Sequence, residues 1–337
     1  MKHILIISFL TIISIAVFAQ DADLVFVDGW VDINSAGATF EAFPGDSLKA
    51  GDSVITGEDS YAELEQKDLS SITVKPDSIF TIREIETDRG KETVLATTVG
   101  SVSFKFGKLL GTEPRIATPS MVAGIRGTEL TVYAGEDGST LIAVNSGLVS
   151  VESEGSTVDL AKDEGVEVRP GEAPGEKFSL LGREMDFASW NKEKYESLIA
   201  NPIEGLDRLG NQLDGFVGKI DDLDGLLTEL KLEKENLKKE WQKILDEQGK
   251  EKGKIFFNEN VHPLDLKTGP LFLNIRYYSL SSLSFRRFIL GGLYLDMKAR
   301  YILDVNNKEY QEFLSMYKNV MNIFEESVVP FLGSNDI

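Results

Sequence analysis

The chain has 337 residues, 55 acidic against 35 basic groups, a formal net charge of -20, no cysteine and two histidines. Zero cysteine excludes disulfide frameworks, thiolate metal sites, cysteine nucleophiles and a lipid-bearing N-terminal cysteine, and the charge argues against a nucleic-acid partner, because phosphate recognition needs a basic footprint. The length and a hydrophobic share of 42% predict a folded, acidic protein of two domains.

The N-terminus reads as an address. Lys2 precedes an apolar run over 4–18 that ends in Val17-Phe18-Ala19, with small or branched residues at the −3 and −1 positions of a cut between Ala19 and Gln20. This is the pattern of a secretory signal peptide over residues 1–19; the rival is an uncleaved anchor, since the run approaches the length of a spanning helix. No later stretch is expected to span a bilayer: the most apolar, 271–295, carries Arg276, Arg286 and Arg287. The expected location is periplasmic or secreted.

From Leu24 to Val168 the chain alternates apolar and polar residues in short runs, such as Ser71-Ile72-Thr73-Val74, with Gly, Asp, Ser or Pro between them. Period two broken by turn residues predicts an all-β domain. A small duplication lies inside it: Gly45-Asp46-Ser47-Leu48 is followed by Gly51-Asp52-Ser53-Val54. Each copy places Gly-Asp at a tight corner, with an apolar residue two positions after the Asp pointing inward. Such rungs suit a solenoid-like or closely wrapped β structure.

The run from Gly45-Asp46 through Gly51-Asp52 to Thr56-Gly57 resembles the opening signature of FecR-type extracytoplasmic domains. Pro76-Asp77-Ser78, Thr118-Pro119, then Gly124-Ile125-Arg126-Gly127-Thr128, Gly147-Leu148-Val149-Ser150-Val151 and Val168-Arg169-Pro170-Gly171 follow at consistent spacing. The resemblance covers roughly 25–171. It implies a β-rich sensory or interaction domain outside the inner membrane, without enzymatic activity. Sigma-factor control and iron-citrate signalling, which belong to the family's regulators, are not carried over: no cytoplasmic segment is expected ahead of the apolar run, and the C-terminal part reads as helical. Arg126 between glycines reads either as an anion grip or as a structural corner tying two turns together.

Pro170-Gly171-Glu172-Ala173-Pro174-Gly175 marks a break in composition. The expected domains are thus 20–171, all-β; a linker, 172–184; and 185–337, helical. A first helix starts near Met185 and ends at Asn201-Pro202. Then Leu206, Leu209, Leu213, Phe216, Ile220, Leu223, Leu227, Leu230, Lys234, Leu237, Trp241 and Ile244 recur in steps of three and four. Over 206–244 that is a heptad seam with one polar position, read either as a homo-oligomeric coiled coil or as one face of a bundle within the chain. Aromatics from Tyr310 to Phe324 form another helical stripe.

Chemistry has little footing. His262 is alone, before Pro263 in an expected loop, and neither a phosphate-binding glycine loop nor a nucleophile elbow is present. Asp221-Asp222-Leu223-Asp224-Gly225 lacks the ligand spacing of a calcium loop, because with Gly225 at position six Lys231 takes the twelfth. No cofactor, metal or catalytic residue is assigned. The expected chain is an α+β multidomain protein, a wrapped β domain followed by an all-α bundle or coiled coil. It is expected to bind a protein or an envelope polymer, with a passive envelope scaffold as the alternative.

Overall fold

The computed structural model describes residues 22–66, 70–88, 90–107, 114–182 and 185–333; Ala19 and Gln20 lie outside them. The β part comprises β1 (Ala22–Asp28), β2 (Val31–Ser35), β3 (Ala38–Glu41), β4 (Ser47–Leu48), β5 (Ser53–Thr56), β6 (Tyr61–Gln66), β7 (Ser71–Val74), β8 (Ile79–Thr87), β9 (Gly90–Lys105), β10 (Arg115–Ala117), β11 (Val122–Ala134), β12 (Thr140–Ser153), β13 (Ser156–Leu160), β14 (Glu164–Val168) and β15 (Phe178–Ser179).

Three long strands make this one wrapped body with two layers. In β9, residues 90–99 pair with β8, whereas 101–105 pair with β7 and β11. In β11 the first half pairs with β10 and the second half with β9, and β12 pairs first with β14 and then with β13. One layer therefore runs β4-β1-β6-β7-β9-β11-β12-β14-β15 and the other β3-β2-β5-β8-β9-β10-β11-β12-β13. The long strands turn between layers at Gly100, Gly127 and Gly147, with φ of 96°, 54° and 85°. At Gly147 a Cβ would lie 2.5 Å from the Gly127 carbonyl, so the two bends nest with no room for a side chain. Leu24, Leu64, Ile72, Phe80, Leu95, Phe104 and Leu130 fill the space between the layers.

The duplicated corners behave alike. Gly45 N–H donates to Leu24 O at 2.7 Å and Gly51 N–H to Ile82 O at 2.8 Å. Leu48 and Val54, two residues after each Asp, are both fully buried, as the alternation predicts.

The helical part consists of α1 (Phe187–Ala200), α2 (Pro202–Gln248), α3 (Lys250–Phe256), α4 (His262–Phe285), α5 (Gly291–Arg300), α6 (Lys308–Ser327) and α7 (Val329–Leu332). Asp186 caps α1 by accepting from Ser189 N–H, and Pro202 fills the first turn of α2, where its missing N–H costs nothing. The expected break at Asn201-Pro202 is therefore real. The expected loop at His262-Pro263 is not: π-helical turns Phe257–Val261 and Arg286–Leu290 join α3, α4 and α5 into one continuous rod. Pro263 sits in the first turn after the π-turn, where its ring is tolerated.

The rod returns beside α2 after a reversal at Gly249 (φ 84°). The proximal seam residues Leu206, Leu209, Leu213, Ile220 and Leu227 are buried against Phe285, Ile289, Leu293, Phe313 and Phe324, with Phe216 and Leu223 packed beside them. Farther out, Leu230, Leu237, Trp241 and Ile244 are only half-buried. There the contacts thin to a Trp241–Phe257 ring pair at 5.3 Å and an ion pair between the seam's polar residue, Lys234, and Asp265. Among the described residues, no helix is long and apolar enough to cross a membrane.

Candidate binding cleft

Strand β9 explains why the helices settle on the β domain. Its burial runs on both faces from Val94 to Val102, apart from half-buried Val99, and a strand covered on both faces needs a second layer of packing. Leu95 points into the sandwich, while Val94 and Ala96, with Ala117 of β10, meet Tyr277 of α4. On the other layer, Tyr133, Leu141 and Ala143 receive Phe178, Leu180, Met185, Phe187 and Trp190. Residues 175–180 of the expected linker are thus laid along the sheet, with Phe178–Ser179 paired as β15.

Between the β8–β10 surface and helices α2 and α4 lies a cleft of about 370 Å³, a size suited to a small ligand. Tyr277, Ser281 and Ser284 line it from one face of α4, at the helical spacing of four and three. Gln212, Gly215 and Lys219 line it from α2, and Thr118 and Pro119 from the loop after β10. Asn274 anchors α4 beside it: its amide donates to Glu86 O at 2.8 Å, and its carbonyl accepts from Glu86 N–H at 2.7 Å.

Arg83 of β8 is the unusual group. It is 7% exposed, and its guanidinium reaches three neutral acceptors: Ser281 Oγ, Ser284 Oγ at 2.8 Å and Leu280 O at 3.3 Å. The two serine hydroxyls already donate to the carbonyls of Tyr277 and Leu280. Among the described residues Arg83 has no carboxylate partner. Burial lowers its pKa, and Tyr277 opposes that shift. An unpaired buried charge costs several kcal/mol even after relaxation. By contrast, Arg115 in the same wall is matched by buried Glu92 at 2.8 Å. Burial pushes the Tyr277 phenol up to about 12, so it is a neutral donor at physiological pH.

The motif residues divide. Thr118 and Pro119 line the cleft, and Thr118 Oγ1 accepts from Thr140 Oγ1 at 2.6 Å, within a hydroxyl cluster that includes Ser120. Gly51 lines two neighbouring cavities, of about 230 and 580 Å³, that also reach Arg83. Gly45, Asp46 and Asp52 hold corners. Thr56 is brought to Ser78, whose N–H donates to Thr56 Oγ1 at 3.0 Å, and Gly57 leaves room for the Trp30 ring, 2.6 Å from where a Cβ would stand. Gly124, Arg126, Gly127 and Thr128 are not among the cleft residues: they form the β11 bend, with Arg126 exposed and without a partner among the described residues. No side-chain tie from Arg126 to a second turn is found among the described residues. Arg83 is the residue that sequence reasoning missed; a run of serines in an apolar helix, Ser279-Leu280-Ser281-Ser282-Leu283-Ser284, was its available signal.

Comparison with known proteins agrees with the resemblance in the motifs. Residues 52–150 match the family model described as FecR protein. No curated protein matches the chain. Two crystal structures of a candidate anti-sigma factor from Parabacteroides distasonis align with it at 15% identity and a TM-score of 0.33. Each alignment covers 38% of this chain and 59% of the solved one, less than two thirds of that protein's length. The chain therefore carries a FecR-type segment, and that segment supplies β8, β9 and β10, the strands that wall the cleft.

Proposed function

We propose that the protein is a non-enzymatic recognition module of the bacterial cell envelope, acting outside the inner membrane. Its ligand occupies the cleft, and the helices convey occupancy to a protein partner. The observation that carries this reading is that the cleft is walled jointly by the FecR-type strands and by α2 and α4, so a bound ligand touches both parts at once. The FecR match supports a regulatory rather than catalytic role, and the signal-like N-terminus supports the location.

The test uses the full mature chain in an extract of envelope components, with retained molecules identified by native mass spectrometry. The reading expects a retained species that Gly215→Trp displaces. Gly215 lines the cleft, and the nearest atom to a Cβ there is Glu154 Oε1 at 3.7 Å, so the change fills the cleft without striking backbone. Retention of nothing, or retention unaffected by Gly215→Trp, overturns it.

A second reading is a passive envelope scaffold, in which the helices build an assembly. It is favoured by the exposed Leu226, Leu232, Ile255 and Leu266 on the hairpin of α2 and the rod. Light scattering across a concentration series separates the two: the scaffold expects oligomers that Leu232→Asp with Ile255→Asp dissolves.

A further inference from the structure

Resting on the cleft reading, we infer that the cleft takes a small oxyanion, a carboxylate or phosphate group seated on the guanidinium of Arg83. Arginine has five N–H donors, and three of those on Arg83 are engaged by neutral oxygens, which leaves two for a ligand. The donors left are Nε–H and one on Nη1, since Nη2 is taken up by Leu280 and Ser284, so each offers a single charge-assisted hydrogen bond to a carboxylate or phosphate oxygen. Low surrounding polarity strengthens that pairing relative to a surface arginine.

The bland account makes Arg83 a clamp between sheet and helix. A clamp of neutral hydrogen bonds needs no positive charge, and Asn274 already performs that role two turns away with an uncharged amide. The chain as a whole is strongly acidic, so a buried, uncompensated cation facing a cavity stands against the general field. The cleft also holds Lys219, exposed on α2, while its two carboxylates, Glu152 and Glu154, are exposed to solvent and screened. A ligand oxyanion would supply the missing counter-charge. The remaining volume, with Tyr277, Tyr278 and Phe285 around it, has room for an apolar body attached to that group.

The experiment is calorimetric titration of the full mature chain at constant ionic strength, with chloride as the background anion. The probes are inorganic phosphate, acetate and vesicles containing phosphatidylglycerol. Saturable one-to-one binding of phosphate or acetate is expected, at least tenfold weaker in Arg83→Lys and absent in Arg83→Met. Should Arg83→Met fail to fold by circular dichroism, Arg83→Lys and the solvent-facing Lys219→Met keep the inference testable; the latter should weaken binding about threefold. Binding to vesicles but to neither free anion assigns the site to a lipid headgroup, provided Arg83→Lys also weakens it. No binding of any probe up to about 20 mM, or equal affinity in Arg83→Lys, overturns the inference. An envelope ligand retained by the wild type and still by Arg83→Lys would sink the anion site while leaving the cleft reading standing. Anion binding with no retained envelope ligand would do the reverse.

Discussion

Asp46 and Asp52 stand six residues apart and clip opposite layers of the sandwich. The carboxylate of Asp46 accepts from Phe43 N–H and that of Asp52 from Lys49 N–H, each at 2.8 Å. The carbonyl of Asp46 receives Leu24 N–H of β1, and that of Asp52 receives Ile82 N–H of β8. A four-residue unit used twice thus starts the closure of two sheets. Asp52 is buried and Asp46 half-buried. Asp52→Ala should therefore cost about 2 kcal/mol and Asp46→Ala about 1 kcal/mol in urea unfolding, with Asn at either position recovering part of the loss.

Gly37, in the turn between β2 and β3, and Gly147, at a bend of β12, separate strain from crowding. Gly37, with φ 84°, has nothing within 4 Å of where a Cβ would stand, whereas at Gly147, with φ 85°, a Cβ would meet Gly127 O at 2.5 Å. Gly37→Ala should cost about 1–2 kcal/mol from backbone conformation alone. Gly147→Ala should cost more than about 3 kcal/mol or prevent folding, measured by thermal melting.

Along α2 the seam should show two regimes. Leu213 is fully buried, so Leu213→Ala should cost about 2–5 kcal/mol. Leu237 is half-buried beyond the packed region, and Leu237→Ala should cost less than about 1 kcal/mol. Ile220→Asp should unfold the helical part rather than merely dissociate an assembly, because Ile220 packs within its own chain; circular dichroism alongside light scattering reads the difference.

Docking of α1 should depend on acid. Burial alone would raise the pKa of Glu167, but Lys194 at 2.7 Å, the Trp190 indole and Arg169 outweigh it and hold the carboxylate below its ordinary range. A depressed carboxylate contributes stability above its unfolded value of about 4.3, and that contribution disappears as pH falls through the lower folded value. Trp190 fluorescence, in a chain with Trp30→Phe and Trp241→Phe, should report release of α1 below about pH 4. Lys194→Met should move that step to higher pH.

The duplicated Gly-Asp corner, the alternation of β5 to β7 and the seam from Leu206 to Leu227 were legible, because each is a local pattern whose period sets which residues face inward. The family motifs were also legible, and Thr118 and Pro119 among them do reach the cleft. Arg83 was not. At the end of Ile79-Phe80-Thr81-Ile82 it reads as a solvated strand residue, and its burial is created by Ser281 and Ser284, about two hundred residues later. The His262-Pro263 loop failed for another reason: a π-turn shifts the helix register, and no residue spacing announces it.

Helix α2 spans 47 residues, about 70 Å from end to end. It lines the cleft near Gln212 and Lys219, close to one end, and runs about 45 Å past Lys219 before it reverses at Gly249. A tilt of about 5° at the cleft would sweep the far end through about 4 Å. On the proposed function, the long arm would convert a rearrangement of the size of one hydrogen bond into a displacement that a neighbouring protein could feel.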